Sequence, residues 1–223
     1  VEPEFWKGRW AEGRIGFHRD APNPHLVRHG LRFEGWPGRG FFPLCGKSVD
    51  LAWAAARGAD VVGNELVETA VEQFFREHGL EPTVRSRGTM REYVAPEVSD
   101  RGPIRILQGD FFELHPQWVG PVDWVFDRAA FIALPPERRA DYAEKLLELA
   151  ESAREILLVT LTYPPGTIQG PPFSVRAREV EARFGAWAIE RIEDNDVRDA
   201  YPHLVEQGLP WLHEAVFRIR RPT

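Results

Sequence analysis

Residues 155–163, EILLVTLTY, form a near-continuous apolar run that is too short to cross a bilayer and lacks the alternation of a half-solvated strand. Such a strand needs cover on both faces, and helices packed on the two sides of a mostly parallel sheet supply it. The chain before it repeats one pattern, a short apolar run followed by a helical segment. GFFPL (40–44) leads into SVDLAWAAARG, in which Val49, Trp53 and Ala56 share a helical face and Gly58 serves as a C-terminal stop. DVVGNEL (60–66) leads into a helix whose apolar stripe is Val67, Ala70, Val71, Phe74 and Phe75. IRILQGD (104–110) and DWVFDR (123–128) are further strands, and a helix over 136–153 precedes the central run. WAIERIED (187–194) and LHEAVFRIR (212–220) alternate apolar with polar residues, as antiparallel edge strands do. This makes a seven-stranded, Rossmann-like α/β sheet with helices on both faces, and TVRSRGTMREYV reads as a small appended hairpin.

No internal repeat or linker divides the 223 residues, so the expectation is one domain over 1–223, with an aromatic-rich N-terminal lid segment (1–39) and a core (40–223). A single cysteine, Cys45, excludes an internal disulfide and a cysteine-based zinc cluster. The formal charge of −6 gives no general basic field for nucleic acid. No run approaches the length of a membrane span, and VEPEFWKGRW lacks the basic start and apolar stretch of an export signal. The expectation is a cytoplasmic monomer acting on a small molecule, without nucleic acid or membrane.

The stretch FFPLCGKSVD ends in the Gly-Lys-Ser of a phosphate-binding loop, but Gly40 lies one residue too far upstream of Gly46 for that motif. Pro43 also brings no N–H to a phosphate cradle. What remains is a strand, a turn with one glycine, a helix, a second strand and then an acid, Glu65. In a βαβ unit of this kind the glycine admits a ligand to the backbone and the acid takes the hydroxyls of a ribose. A single glycine suits a nucleoside better than a pyrophosphate. Asp110 ends another strand and can accept from the exocyclic amine of a purine, with Phe111 packing on the ring. The competing readings are a solvated strand end for Glu65 and ordinary core packing for Phe111 or Phe112.

The segments FWKGRWAEGRIGFH, FFPLCGKSVDLAW, VVGNEL, FFREHGLEP, GDFFEL, FDRAAFIALPPERRADYAE, LLVTLTYP and GPPFSV, in this order, closely resemble the thiopurine S-methyltransferase family, especially its bacterial members. The resemblance runs from Phe5 to about Arg218. It implies a class I methyltransferase fold, S-adenosylmethionine as methyl donor, and transfer to sulfur, or to selenium or tellurium, of a small acceptor. It also implies donor contacts from Trp6, Phe17, Leu44, Glu65, Asp110, Phe111 and Arg128, to which the turn glycine Gly46 is added, with Phe17 and Arg128 also facing the acceptor. Asn64 departs from the family pattern beside Glu65, as does Val67-Glu68 after it.

Transfer from a sulfonium needs nucleophile, methyl and leaving sulfur in line. An acidic thiol attacks as its thiolate, which a nearby cation favours. Arg128 is the candidate cation, against a salt bridge to Asp127 or Glu65, and His18 is the candidate general base, against a packing role. A donor-binding module without turnover, and a methyltransferase acting on a non-sulfur atom, are the alternatives. No metal is expected: His25 and His29 are four apart, but no third ligand is apparent in the sequence. EDNDVRD lacks the glycine and terminal glutamate of a calcium loop.

Overall fold

The computed structural model describes residues 3–33 and 36–222. Among these, nine strands form one sheet: β1 (Arg39–Phe42), β2 (Asp60–Glu65), β3 (Thr83–Arg87), β4 (Met90–Ala95), β5 (Ile104–Gln108), β6 (Trp124–Arg128), β7 (Glu155–Thr162), β8 (Ala188–Asp196) and β9 (His213–Arg220). Their spatial order is β3-β4-β5-β2-β1-β6-β7-β9-β8. The central five, β5-β2-β1-β6-β7, run parallel, and an antiparallel pair closes each edge. The α-helices are α1 (Pro3–Ala11), α2 (Pro24–His29), α3 (Val49–Ala55), α4 (Glu68–Glu77), α5 (Pro116–Val119), α6 (Arg139–Leu149), α7 (Ala177–Phe184) and α8 (Pro202–Val205).

The expected α/β architecture and its seven strands are present. The hairpin read as an appendage continues the sheet instead, because β4 pairs with β5 from Arg91 opposite Gln108 to Ala95 opposite Ile104. Met90, Tyr93 and Ala95 are buried by that pairing while β3 outside it stays exposed. The central run is covered on both faces as its composition requires: of β7, all residues but Thr162 are buried. α4 buries Ala70, Val71, Phe74 and Phe75. α3 turns a different face inward than its Val49, Trp53 and Ala56 stripe suggests, burying Leu51, Ala54 and Ala55 together with Asp50. Small alanines let the helix lie close to the sheet, and Trp53 at the margin meets Trp36 at a tilt and carries Arg57 over its ring.

The leader divides into two parts. Leu26 and Phe33 belong to the main core, and Trp36 stacks on Trp124 with centroids 5.2 Å apart. Gly40 makes room for that tryptophan, since a Cβ there would lie 2.1 Å from the Trp124 ring. Residues 3–20 instead form a separate small cluster in which Trp10 packs on Val67 and Ala70. The chain leaves β1 for β2 on one side and β6 lies on the other, so a crevice opens above the carboxyl end of β1, where open α/β sheets bind ligands.

Candidate active site

The turn after β1 is built on two left-handed residues. Leu44 has φ 45° and Gly46 φ 55°, and a non-glycine residue in that region is held there by its surroundings at a cost of about 1–3 kcal/mol. The turn is pinned by hydrogen bonds from Cys45 N to Asn64 O (2.8 Å) and from Gly46 N to Glu65 Oε2 (2.8 Å). A Cβ on Gly46 would approach Trp10 at 3.2 Å, so this glycine keeps space for the aromatic leader as well as for a ligand. Ser48 caps α3 by accepting from Asp50 N, and Lys47 pairs with Glu77 at 2.7 Å. The Gly-Lys-Ser sequence therefore begins a helix and leaves its lysine neutralised. Burial, followed by the charge of Glu65, pushes the Cys45 thiol well up, so it is no nucleophile.

Glu65 ends β2 and is only 6% exposed. Each of its oxygens accepts one backbone hydrogen bond, from Gly46 N and, at 2.7 Å, from Val67 N. The Leu66 amide also bears on this carboxylate, which with about four acceptor positions keeps capacity for a hydroxyl donor. Burial pushes this carboxyl up to about 7, against the downward pull of the Val67 and Gly46 amides. Asn64 is fully buried, and its Nδ2 donates to Leu107 O (2.9 Å) and Gly109 O (3.1 Å). The unusual amide thus ties β2 to the end of β5 and to the turn that follows it. Asp110 follows that end and accepts from Phe112 N through Oδ1, while Oδ2 makes no hydrogen bond among the described residues. Phe111 is 2% exposed and stacks on Tyr142 at 4.7 Å, so core packing holds for it, with an edge reaching the cavity. Phe112 is half-buried with Arg138 over its ring at 4.5 Å.

Arg128 ends β6 and is followed by Ala129 at φ 62°. It makes no ion pair among the described residues. Its neighbours Asp127 and Glu65 are engaged elsewhere: Asp127 accepts from Phe131 N and Tyr142 Oη, and burial pushes its carboxyl up to about 6. Burial pulls the Arg128 guanidinium down, with Tyr201, Asp50 and Glu214 acting in the other direction, and an arginine remains a cation throughout. The facing wall is polar. Tyr201 Oη donates to Glu214 Oε2 (3.0 Å) and receives from Arg19 (3.1 Å), and Asp50 accepts from Asn23 N (2.6 Å) and Ser48 Oγ. Tyr201, Glu214 and Asp50 carry no motif, and only the fold brings them here.

Above these strand ends lies a cavity of about 810 Å³, lined among others by Trp6, Phe17, Leu44, Gly46, Glu65, Asp110, Phe111 and Arg128. Every expected site residue except His18 is therefore brought to one place. Trp6 and Phe17 meet edge to face at 5.9 Å, as do Trp10 and Phe17. His18 does not line the cavity; it is 3.7 Å from Asp20. Burial, then Lys47, holds its imidazole below the usual range, so it is neutral at neutral pH.

The family model of thiopurine S-methyltransferase matches residues 1–222. The chain is 43% identical over 223 residues to the thiopurine S-methyltransferase of Pseudomonas paraeruginosa, covering 99% of this chain and 100% of that protein. It is equally identical, over 222 residues with the same coverage, to the enzyme of the same name from Pseudomonas putida F1. Among solved structures, the magnesium protoporphyrin IX methyltransferase of Synechocystis PCC 6803, with SAH bound, superposes with a TM-score of 0.65 at 14% identity, covering 98% of this chain and 100% of that one. That likeness is one of fold.

Proposed function

The chain belongs to the thiopurine S-methyltransferase family, and from that premise we propose how it methylates a small thiol or related chalcogen compound. S-adenosylmethionine supplies an electrophilic methyl on a sulfonium. Its adenosine is held by Glu65 through the ribose hydroxyls, for which acceptor capacity remains, and by Asp110 through the exocyclic amine, for which Oδ2 makes no hydrogen bond among the described residues. Leu44, Gly46 and the edge of Phe111 close around the same space, while Trp6 and Phe17 cover it and exclude water.

One observation carries the acceptor side: a half-buried arginine at a strand end, lining the cavity, with no carboxylate paired to it among the described residues. A buried cation without a partner is costly, and an anionic acceptor supplies the missing charge. Arg128 therefore holds the attacking thiolate, or a ring nitrogen beside it, and favours the ionised form. His18 serves the leader rather than proton transfer, since it does not line the cavity. We read the protein as a cytoplasmic monomer, on the strength of its lone unreactive cysteine and a site completed within one chain.

Labelled S-adenosylmethionine incubated with thiopurines, simple thiols, selenite and tellurite tests this reading. Methylated product from at least one acceptor is expected, and donor binding with no product from any of them leaves a binding module. Arg128→Ala should lower turnover by on the order of 10- to 100-fold with little change in S-adenosylhomocysteine affinity. Equal losses in both would remove Arg128 from the acceptor site.

A further inference from the structure

Away from the cavity, α2 and the β8–β9 edge bring two imidazoles and two carboxylates together. His25 and His29 lie four residues apart on α2 and so face the same side. Opposite them stand Glu193 of β8 and Glu214 of β9. Strict alternation would put Glu193 on the same face as Arg191, which is paired with Phe217. A β-bulge at Ile192 shifts the register so that Glu193 pairs with Val216, which turns its side chain to the face that carries Glu214 and α2.

The hydrogen bonds define which atoms are free. His25 Nε2 lies 2.7 Å from Glu214 Oε1, and a carboxylate accepts, so this nitrogen carries the proton. Nδ1 of the same ring is left with its lone pair. It is buried without a hydrogen-bond partner among the described residues, in a residue only 5% exposed, and points to Glu193 Oε2 at 3.4 Å. Glu193 Oε1 is met by His29 Nε2 at 2.5 Å and by the half-exposed Arg28 at 2.5 Å. One donor atom each from His25, His29 and Glu193 lie within 4.8 Å of one another.

We propose that His25 Nδ1, His29 Nε2 and Glu193 form a binding site for a divalent transition-metal ion, zinc being the best match, with Glu214 as the outer carboxylate that fixes the His25 ring. Metal-binding histidines characteristically donate their other N–H to a carboxylate, as His25 does to Glu214. Zinc takes imidazole nitrogen and carboxylate oxygen at about 2.0–2.2 Å, so the cluster needs only small shifts to close on it, with Arg28 swinging toward solvent. Two imidazoles and one carboxylate suit zinc and its first-row neighbours better than calcium or magnesium, which take oxygen. Three protein ligands leave a fourth position for water. The ion would clamp α2 to the sheet edge. Because Asn23 at the start of α2 donates to Asp50, and Glu214 accepts from Tyr201, that clamp steadies two residues of the cavity wall.

The competing state is a plain ion-pair network in which a proton on His25 Nδ1 takes the place of the metal. The test is to strip the full chain with chelator and titrate it with zinc chloride at pH 7.5 against a chromophoric chelator, repeating with cobalt chloride to read visible ligand-field bands. One equivalent of tightly bound metal is expected. In His29→Ala and in Glu193→Gln, both at the rim of the cluster, affinity should fall by on the order of 10- to 100-fold or more, with the cobalt bands lost and circular dichroism confirming the fold. Absence of stoichiometric binding by the unmodified chain, or affinity unchanged in both variants, overturns the site.

Discussion

Lowering the pH should weaken donor binding through Glu65. Its carboxyl is pushed up to about 7 by burial, and in the proposed site the ribose hydroxyls donate to the ionised form. With a folded value near 7, about nine-tenths of the molecules carry the anion at pH 8 and about one-tenth at pH 6, so the apparent dissociation constant rises roughly tenfold between them. That is about 1.4 kcal/mol of binding free energy. In the free protein the sign runs the other way. The Glu65 contribution to stability is fully present below its unfolded value of 4.5 and is lost as pH rises through about 7, because the buried anion is then unrelieved. Calorimetric titration with S-adenosylhomocysteine at pH 8, 7 and 6 reads the effect, and buffers of different ionisation enthalpy report the proton released on binding. His18 sits in the leader, its imidazole held below the usual range by burial and then Lys47, so the series is repeated in His18→Gln. A dissociation constant that stays flat from pH 8 to 6 in that background, or the same slope in Glu65→Gln, would refute the reasoning.

Tyr142→Phe removes the hydroxyl that donates to the fully buried Asp127 at 2.7 Å; stability should drop by about 1–3 kcal/mol, measured by urea unfolding, and an unchanged midpoint would count against the assigned bond. Gly40→Ala sets a methyl against the Trp124 ring and should cost about 1–3 kcal/mol through overpacking, with a blue-shifted or broadened tryptophan emission; full retention of stability would show that the ring can move. Residues 4–20 rest on the small Trp10, Val67 and Ala70 cluster rather than on the main core, so their amides should exchange readily without ligand and slow with S-adenosylhomocysteine. Equal exchange in the two states would contradict a closing leader.

The sheet was legible because β1, β2, β5, β6 and β7 are buried on both faces, which leaves apolar runs too short for helices and ending in Glu65, Asp110 and Arg128. Glu65 and Asp110 stood out as candidates for the same reason, since a charge at the end of a buried run is hard to explain as packing, whereas Arg128 was singled out by the resemblance of FDRAA to the family. The inward face of α3 was misread because Ala54 and Ala55 carry little hydrophobic signal, although their small size is what brings the helix close. Tyr201, Glu214 and Asp50 left no trace in the sequence, since they reach the cavity through long-range contacts that no local pattern encodes. Glu193 was hidden more thoroughly, because a bulge that adds one residue to an edge strand reverses the inside and outside of everything beyond it.

Asn64 has one further consequence. By bonding to two carbonyls on either side of Gln108, it locks the ends of neighbouring strands and so fixes the spacing between Glu65 and Asp110 ahead of any encounter. On the proposed reading the two acids act as a rigid gauge for the distance from sugar to base, and a ligand of another length finds nothing that will stretch to meet it. Tolerance toward different partners then has to reside on the opposite bank, where Arg128 has no ion-pair partner among the described residues and the leader supplies aromatic edges.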